Sequence, residues 1–234
     1  MGIIESYERD QHDNVGDVYD YNLGDWNAPL SGYESFPQLI KKYENCDVES
    51  IKYDTVDKMM VMLDNPQDCN LKYVDSKGIS VLIATISLHL TGVVEKIMKY
   101  KDRVERDRRL GIVDDREVFD ENIKFRPTNA VCNSPLMIAI RKGYSDMALM
   151  MLSYPGQCRL NHVNNYGDTA LTTALITGDE EVAMKILTLP DMIDIDACNY
   201  NDQTALSLAE EKGMERVSKR IRSVFLMGRS QVFE

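Results

Sequence analysis

Gly167-Asp168-Thr169-Ala170-Leu171-Thr172-Thr173-Ala174-Leu175-Ile176-Thr177-Gly178-Asp179 holds a helix start, a short helix and a helix stop in one run. Thr169 can cap exposed helix N–H groups with its side-chain oxygen. Leu171 is placed as an inward anchor. Ala174, one turn on, lets a neighbouring helix approach closely, and Gly178 breaks the helix. The same grammar recurs on both sides. Thr204-Ala-Leu206-Ser207 begins 35 residues later, and Ser134-Pro-Leu136-Met137 begins 35 residues earlier. Ser80-Val-Leu82-Ile83 precedes Ser134 by 54 residues, which leaves about 19 extra residues in that gap on the 35-residue period. Leu82, Leu136, Leu171 and Leu206 align, as do Ala139, Ala174 and Ala209, and Gly143, Gly178 and Gly213.

Each unit continues with a second apolar stripe at i, i+1, i+4 and i+5, which is helical spacing. The stripes are Val93, Val94, Ile97 and Met98; Met147, Ala148, Met151 and Leu152; and Val182, Ala183, Ile186 and Leu187. Gap-free segments then start at Leu63, Leu152 and Leu187, with Pro66, Pro155 and Pro190 three positions on. The proline stops the helix, and an extended turn rich in Asn and Asp leads to the next unit.

Gly167 to Asp179 resembles the ankyrin pattern G-x-T-P-L-H-x-A-A-x-x-G-H, with looser matches at Ser134-Pro-Leu-Met-Ile-Ala and Thr204-Ala-Leu-Ser-Leu-Ala and a degenerate one at Ser80-Val-Leu-Ile-Ala-Thr. The resemblance covers about residues 70–98 and 129–222. Divergent arrays with a proline after the second helix are similar to ankyrin proteins of large DNA viruses and intracellular bacteria. The resemblance implies an all-α, ankyrin-type solenoid of stacked helix pairs joined by short hairpin turns. The sequence departs from the pattern where Ile83, Met137, Thr172 and Ser207 replace the family histidine, so its buried hydrogen bonds are absent or remade. Cys132 and Asp202 replace the hairpin glycine.

The expected organisation is an acidic aromatic N-terminal segment at 1–35, a degenerate N-terminal cap repeat at 36–69, and ankyrin-like repeats at 70–98, 129–163 and 164–198. A charged insertion occupies 99–128, and a C-terminal capping repeat and tail occupy 199–234. The N-terminal segment carries eight acidic residues, one basic residue (Arg9), and Tyr7, Tyr19, Tyr21, Trp26 and Tyr33. A disordered tail, a segment folding back through Trp26 and Leu30, and a peptide motif for a partner all fit it. Phe36, Leu39, Ile40 and Tyr43, with Val56, Met59, Met60 and Leu63, make the two stripes of the cap. In the insertion, Lys99, Arg103, Arg106 and Arg109 lie on one face of an extended second helix. That face is either solvated and self-neutralised by Asp102 and Glu105, or a basic finger for an acidic partner. Val217 and Ile221 face inward in the last unit. Arg222 stands where earlier units carry Met98, Leu152 and Leu187, which suits a cap.

The net charge of −11 disfavours nucleic acid and anionic lipid as partners. No apolar run is long enough for a membrane span, and the N-terminus lacks the features of a secretory signal. Met1-Gly2 with Ser6 fits the loose myristoylation pattern. Five cysteines, odd in number and without zinc-knuckle spacing, are expected as reduced thiols in a cytoplasmic protein, or in the host cytoplasm for a viral or bacterial effector. Cys69 and Cys158 align with Ile193, and Cys198 aligns with Val74 and Val163, which predicts small buried apolar positions. His12, His89 and His162 have no ligand-spaced partner, and His89 occupies the slot of the inter-helix glycine. No metal, no cofactor and no catalytic constellation is expected, so the chain reads as a non-catalytic protein–protein interaction module, monomeric alone. A structural or self-assembling module and an accessory subunit of an enzyme complex are the alternatives.

Ankyrin proteins that resemble this chain bind protein partners through hairpin tips and the concave face of the first helices. Carried over, the tips are Ser76, Lys77, Asn165, Tyr166, Tyr200 and Asn201. The concave positions are Ser87, Leu88, Arg141, Lys142, Ile176, Thr177, Glu211 and Lys212. Arg103, Arg106 and Arg109 complete the candidate set.

Overall fold

The computed structural model describes residues 35–64, 71, 79–109, 133–189 and 193–230, with the side chains of 101–109 and 227–230 outside that description. Ten α-helices run through these residues: α1 (Phe36–Glu44), α2 (Glu49–Met62), α3 (Val81–Ser87), α4 (Thr91–Arg109), α5 (Pro135–Arg141), α6 (Ser145–Met151), α7 (Ala170–Thr177), α8 (Glu180–Ile186), α9 (Ala205–Glu211) and α10 (Glu215–Ser230). No β-strand occurs among the described residues; an isolated antiparallel bridge joins Cys198 to Thr204. The chain is all-α.

Successive helices pack as pairs, α1 with α2 through α9 with α10, and the pairs lie side by side in two layers. One layer is formed by α1, α3, α5, α7 and α9, and the other by α2, α4, α6, α8 and α10.

Every first-layer helix starts the same way. The side chains of Ser35, Ser80, Ser134, Thr169 and Thr204 each accept a hydrogen bond from the backbone N–H three residues on. The reciprocal bond, from the cap N–H back to the third residue, is remade with whatever that residue offers. Gln38 Oε1, Met137 Sδ, Thr172 Oγ1 and Ser207 Oγ accept it. Ile83 has no acceptor to offer. Four of the five first-layer helices, α3 to α9, stop at left-handed residues: Gly143, Gly178 and Gly213 have φ of 72, 83 and 69°, and His89 takes the same place at 56°. There its ring stacks on Tyr144, 4.0 Å between centroids.

The predicted stripes form the core. Leu82, Leu136, Leu171, Ala139, Ala174 and Ala209 are buried, together with the stripes of α4, α6 and α8. In the first pair Phe36, Leu39, Ile40, Met59 and Leu63 are buried, with Tyr43, Val56 and Met60 packed against them. One anchor differs: Leu206 is only half-buried, because α9 lies in the last described pair and has a neighbour on one side only.

That last pair is polar where the others are apolar. Glu210 stands in the register of the buried Ile86, Ile140 and Leu175, and Arg222 in that of the buried Met98, Leu152 and Leu187. Glu210 and Arg222 are an ion pair with each other, the arginine side chain 58% exposed. The charge expected at Arg222 is therefore matched by a second one, from the other helix of the pair.

A second-layer helix end is also closed by its neighbour. Lys96 of α4 donates to the Met60 carbonyl at the end of α2, at 2.6 Å. Arg220 of α10, in the same register, donates through Nε and Nη2 to the Leu187 carbonyl at the end of α8. A cation there satisfies a terminal carbonyl and meets the negative end of the helix dipole. In α6 that register position is Met150, which is packed against the core. It lies beside α4, which runs on to Arg109 rather than stopping near Met98. The extension of the second helix expected from the insertion is thus present through Arg109.

Candidate interaction surface

The links between pairs are built around two asparagines 35 residues apart. Asn164 Oδ1 accepts from the N–H groups of Tyr166 and Asp168, and Asn199 Oδ1 accepts from those of Asn201 and Gln203. Each amide group then reaches the preceding link: Asn164 Nδ2 donates to Asn133 Oδ1 at 2.9 Å, and Asn199 Nδ2 donates to Asp168 Oδ1 at 3.1 Å. Asn199 Nδ2 also reaches Gln203 Oε1. Asn133, Asn164, Asp168 and Asn199 are all buried, so these bonds form an interior ladder that holds successive turns in register.

The turns approach one another closely at Gly167. The Tyr200 N–H donates to the Tyr166 carbonyl at 2.9 Å. A Cβ on Gly167 would lie 2.6 Å from the Tyr200 nitrogen, and the glycine φ is +81°. The Tyr200 ring therefore rests over the preceding turn, beside Tyr166. Asp202 replaces the equivalent glycine and keeps its left-handed backbone, with φ of 58°. The loss of that glycine leaves the turn geometry intact, because Asp tolerates this region better than most side chains.

Asp168 is the acid of the ladder. Burial pushes its carboxyl above the ordinary value of 3.8, while hydrogen bonds from Asn199 and Asn164 and the charge of Arg141 pull it back. The unfolded carboxyl ionises near its ordinary value and the folded one only at higher pH. Between the two, the folded state binds more protons, and stability falls as pH rises. Asp168→Asn removes this term. Across urea melts from about pH 3.5 to 7, the variant should gain on the wild type as pH rises through that window and hold a constant difference above it. A difference independent of pH would show that Asp168 carries no buried-charge cost.

The ladder positions were not singled out from the sequence, where Asn164 and Asn199 read only as turn formers. Their common register was the available signal. Of the predicted tips, Asn165, Tyr166, Tyr200 and Asn201 are exposed, as expected. Tyr200 is 75% exposed and Tyr166 41%, and Val163 at 46% and Cys198 lie exposed on the same two links. Burial of Val163 and Cys198 was predicted and is corrected: their register faces outward, beside the inward-facing Asn164 and Asn199. Cys158 is buried, its thiol donating to the Met151 carbonyl. Cys69 and Cys132, with Ser76 and Lys77, lie outside the described residues.

Of the positions expected on a concave face, all but Glu211 and Lys212 are less open than the tips. Arg141, Lys142, Ser87 and Leu88 are half-buried, and Arg141 acts on Asp168 rather than simply facing solvent. Ile176 is half-buried against the core, and the Thr177 hydroxyl is bonded to the Thr173 and Ala174 carbonyls. Glu211 accepts from Gln203, and Lys212 is exposed. Arg103, Arg106 and Arg109 lie on α4, but their side chains, and the rest of the insertion, are outside the described residues. Lys99, on the same helix, pairs with Glu95 at 2.7 Å, which raises its pKa. No group of His, Cys, Asp and Glu suited to a metal occurs among the described residues. No described helix is long and apolar enough to cross a membrane.

No protein-family profile matches the chain by sequence, and no curated protein does. Solved structures do match by shape. One is a chain from the complex of a predatory endopeptidase of Bdellovibrio bacteriovorus with its immunity protein, with a TM-score of 0.50, 17% identity, and 85% of each chain covered. At that identity the likeness concerns the fold.

Proposed function

We propose that the chain is a non-catalytic protein-binding module of the ankyrin-repeat type, its helix pairs forming a solenoid with short hairpin turns. The observation that carries this reading is the pairing of a buried, hydrogen-bonded ladder with exposed side chains one or two residues away. Asn164 and Asn199 hold the turns rigid, while Asn165, Tyr166, Tyr200 and Asn201 project from them. Rigid scaffolds displaying variable tips lose little entropy on binding, which is the physical requirement for a recognition surface. The likeness to a chain from a protein–protein complex accords with this reading.

The insertion is the second candidate contact, on the sequence alone. Joining Tyr100 to Thr128 through a short glycine-containing turn should leave a cooperatively folding protein, because the helix stripes on both sides are retained. With a photocrosslinking residue at position 165, full-length protein is expected to capture a discrete protein, identified by mass spectrometry, while light scattering shows a monomer. If the insertion supplies the contact, its deletion, or charge reversal at Arg103, Arg106 and Arg109, weakens that capture and removes its salt dependence. Concentration-dependent self-association with no captured protein would replace this reading with self-assembly. Substrate turnover by the purified chain would also overturn it.

A further inference from the structure

The link that carries the exposed Tyr200 bears charge of one sign. From Ile186 to Glu211 the sequence contains no lysine, arginine or histidine, but has six acids. Glu210 is paired with Arg222, and Glu211 accepts from Gln203. Asp194, Asp196 and Asp202 are exposed on the link that carries Tyr200. This link is not a generic loop. The Asp194 backbone N–H donates to Asn161 Oδ1 of the preceding link at 2.7 Å, and Asn199 fixes the turn from inside. Tyr166 and Tyr200 thus project from adjoining turns, joined by the Tyr200–Tyr166 backbone bond, and the exposed Asp196 and Asp202 flank Tyr200 in the chain.

We propose that this tyrosine ridge, Tyr166 and Tyr200 with Asp194, Asp196 and Asp202, docks an extended, arginine-rich segment of a protein partner. The proposal rests on the protein-binding reading above and names the chemistry of the partner. Arginine suits both parts of the surface. Its planar guanidinium stacks on an aromatic face and pairs with a carboxylate at the same time, whereas lysine offers only a point charge. The occupant is chosen by charge complementarity. An acidic or apolar segment would leave three exposed carboxylates facing like charge or losing water without a partner.

The test uses the full-length protein and a fluorescein-labelled peptide of alternating arginine and glycine, about twelve residues long, with its lysine–glycine counterpart as a second probe. The arginine peptide is expected to bind more tightly than the lysine peptide. Tyr200→Ala should weaken it about threefold or more, and Tyr166→Ala with Tyr200→Ala about tenfold, while Tyr200→Phe retains binding. Both tyrosines are exposed, and a thermal melt of each variant confirms the fold. Asp196→Asn with Asp202→Asn should weaken binding, whereas Asp47→Asn with Asp57→Asn, in the first helix pair at the other end of the stack, should not. Equal loss from the two charge pairs would mean attraction to the net charge alone and would overturn the proposal. So would equal affinity for the two peptides, or no effect of the double alanine variant. Failure here with continued capture of a protein by position 165 refutes the arginine-docking ridge and leaves the binding module standing; failure of both refutes both.

Discussion

Leu171→Ala is expected to destabilise the protein by about 2–5 kcal/mol, the range for truncating a buried leucine whose surroundings cannot collapse around the void. Leu171 is buried in α7, which packs against α5 on one side and α9 on the other, so neither neighbour can close the cavity without disturbing its own pair. Leu136 on α5 is fully buried and should respond in the same way. Leu206→Ala is the internal control. It occupies the same register but is half-buried, and its truncation should cost less than about half as much. Urea melts of the three variants measure this directly. A loss below about 0.5 kcal/mol for Leu171→Ala would mean that the aligned leucines are not anchors.

Gly167→Ala should be comparably damaging for a different reason. The backbone there is left-handed, which costs a side chain about 1–3 kcal/mol, and the new methyl meets the main chain of Asn199 and Tyr200 at 2.8 and 2.6 Å. Main chain cannot swing aside as a side chain does, so the adjoining turns must separate, adding about 1–3 kcal/mol. Gly143→Ala provides the contrast. Its φ is +72°, yet nothing lies within 4 Å of the added carbon, so only the conformational cost applies. The Gly167 variant should therefore melt at clearly lower urea than the Gly143 variant. It should also weaken any ligand held by Tyr166 and Tyr200, because it pries those turns apart. Equal stabilities for the two variants would show that the turns are loosely packed.

The all-α layering was legible because its punctuation is local. A serine or threonine at the cap, a leucine two positions on and a glycine at the stop are each dictated by one backbone requirement. Their spacing survives even where Met137 or Ser207 replaces a larger polar side chain. Burial in the turns was not legible in the same way. Alignment told that Val163 and Cys198 are equivalent, but equivalence carries no direction, and both face out. The neighbouring Asn164 and Asn199 turn in, against the usual preference of polar side chains, because each amide pairs with three or more polar groups of its own and the preceding link. The partners of the ladder, Asn133, Asp168 and Gln203, share an acceptor oxygen rather than a residue type, so no repeated letter marks them. Likewise the apolar register predicted Leu206 correctly as a position and wrongly as an environment, since only a neighbour can bury it.

The closure of one second-layer helix by the next gives the units a memory of their predecessors. Lys96 and Arg220 stand beside helices that stop, and Met150 beside one that does not. Units that look alike in the alignment are therefore not interchangeable parts. Moving the α5–α6 unit to follow α8 would leave the Leu187 carbonyl facing a thioether, and placing the α9–α10 unit after α4 would press a guanidinium against a helix with no free end to receive it. At these junctions the order of the units is marked by single residues on their neighbours.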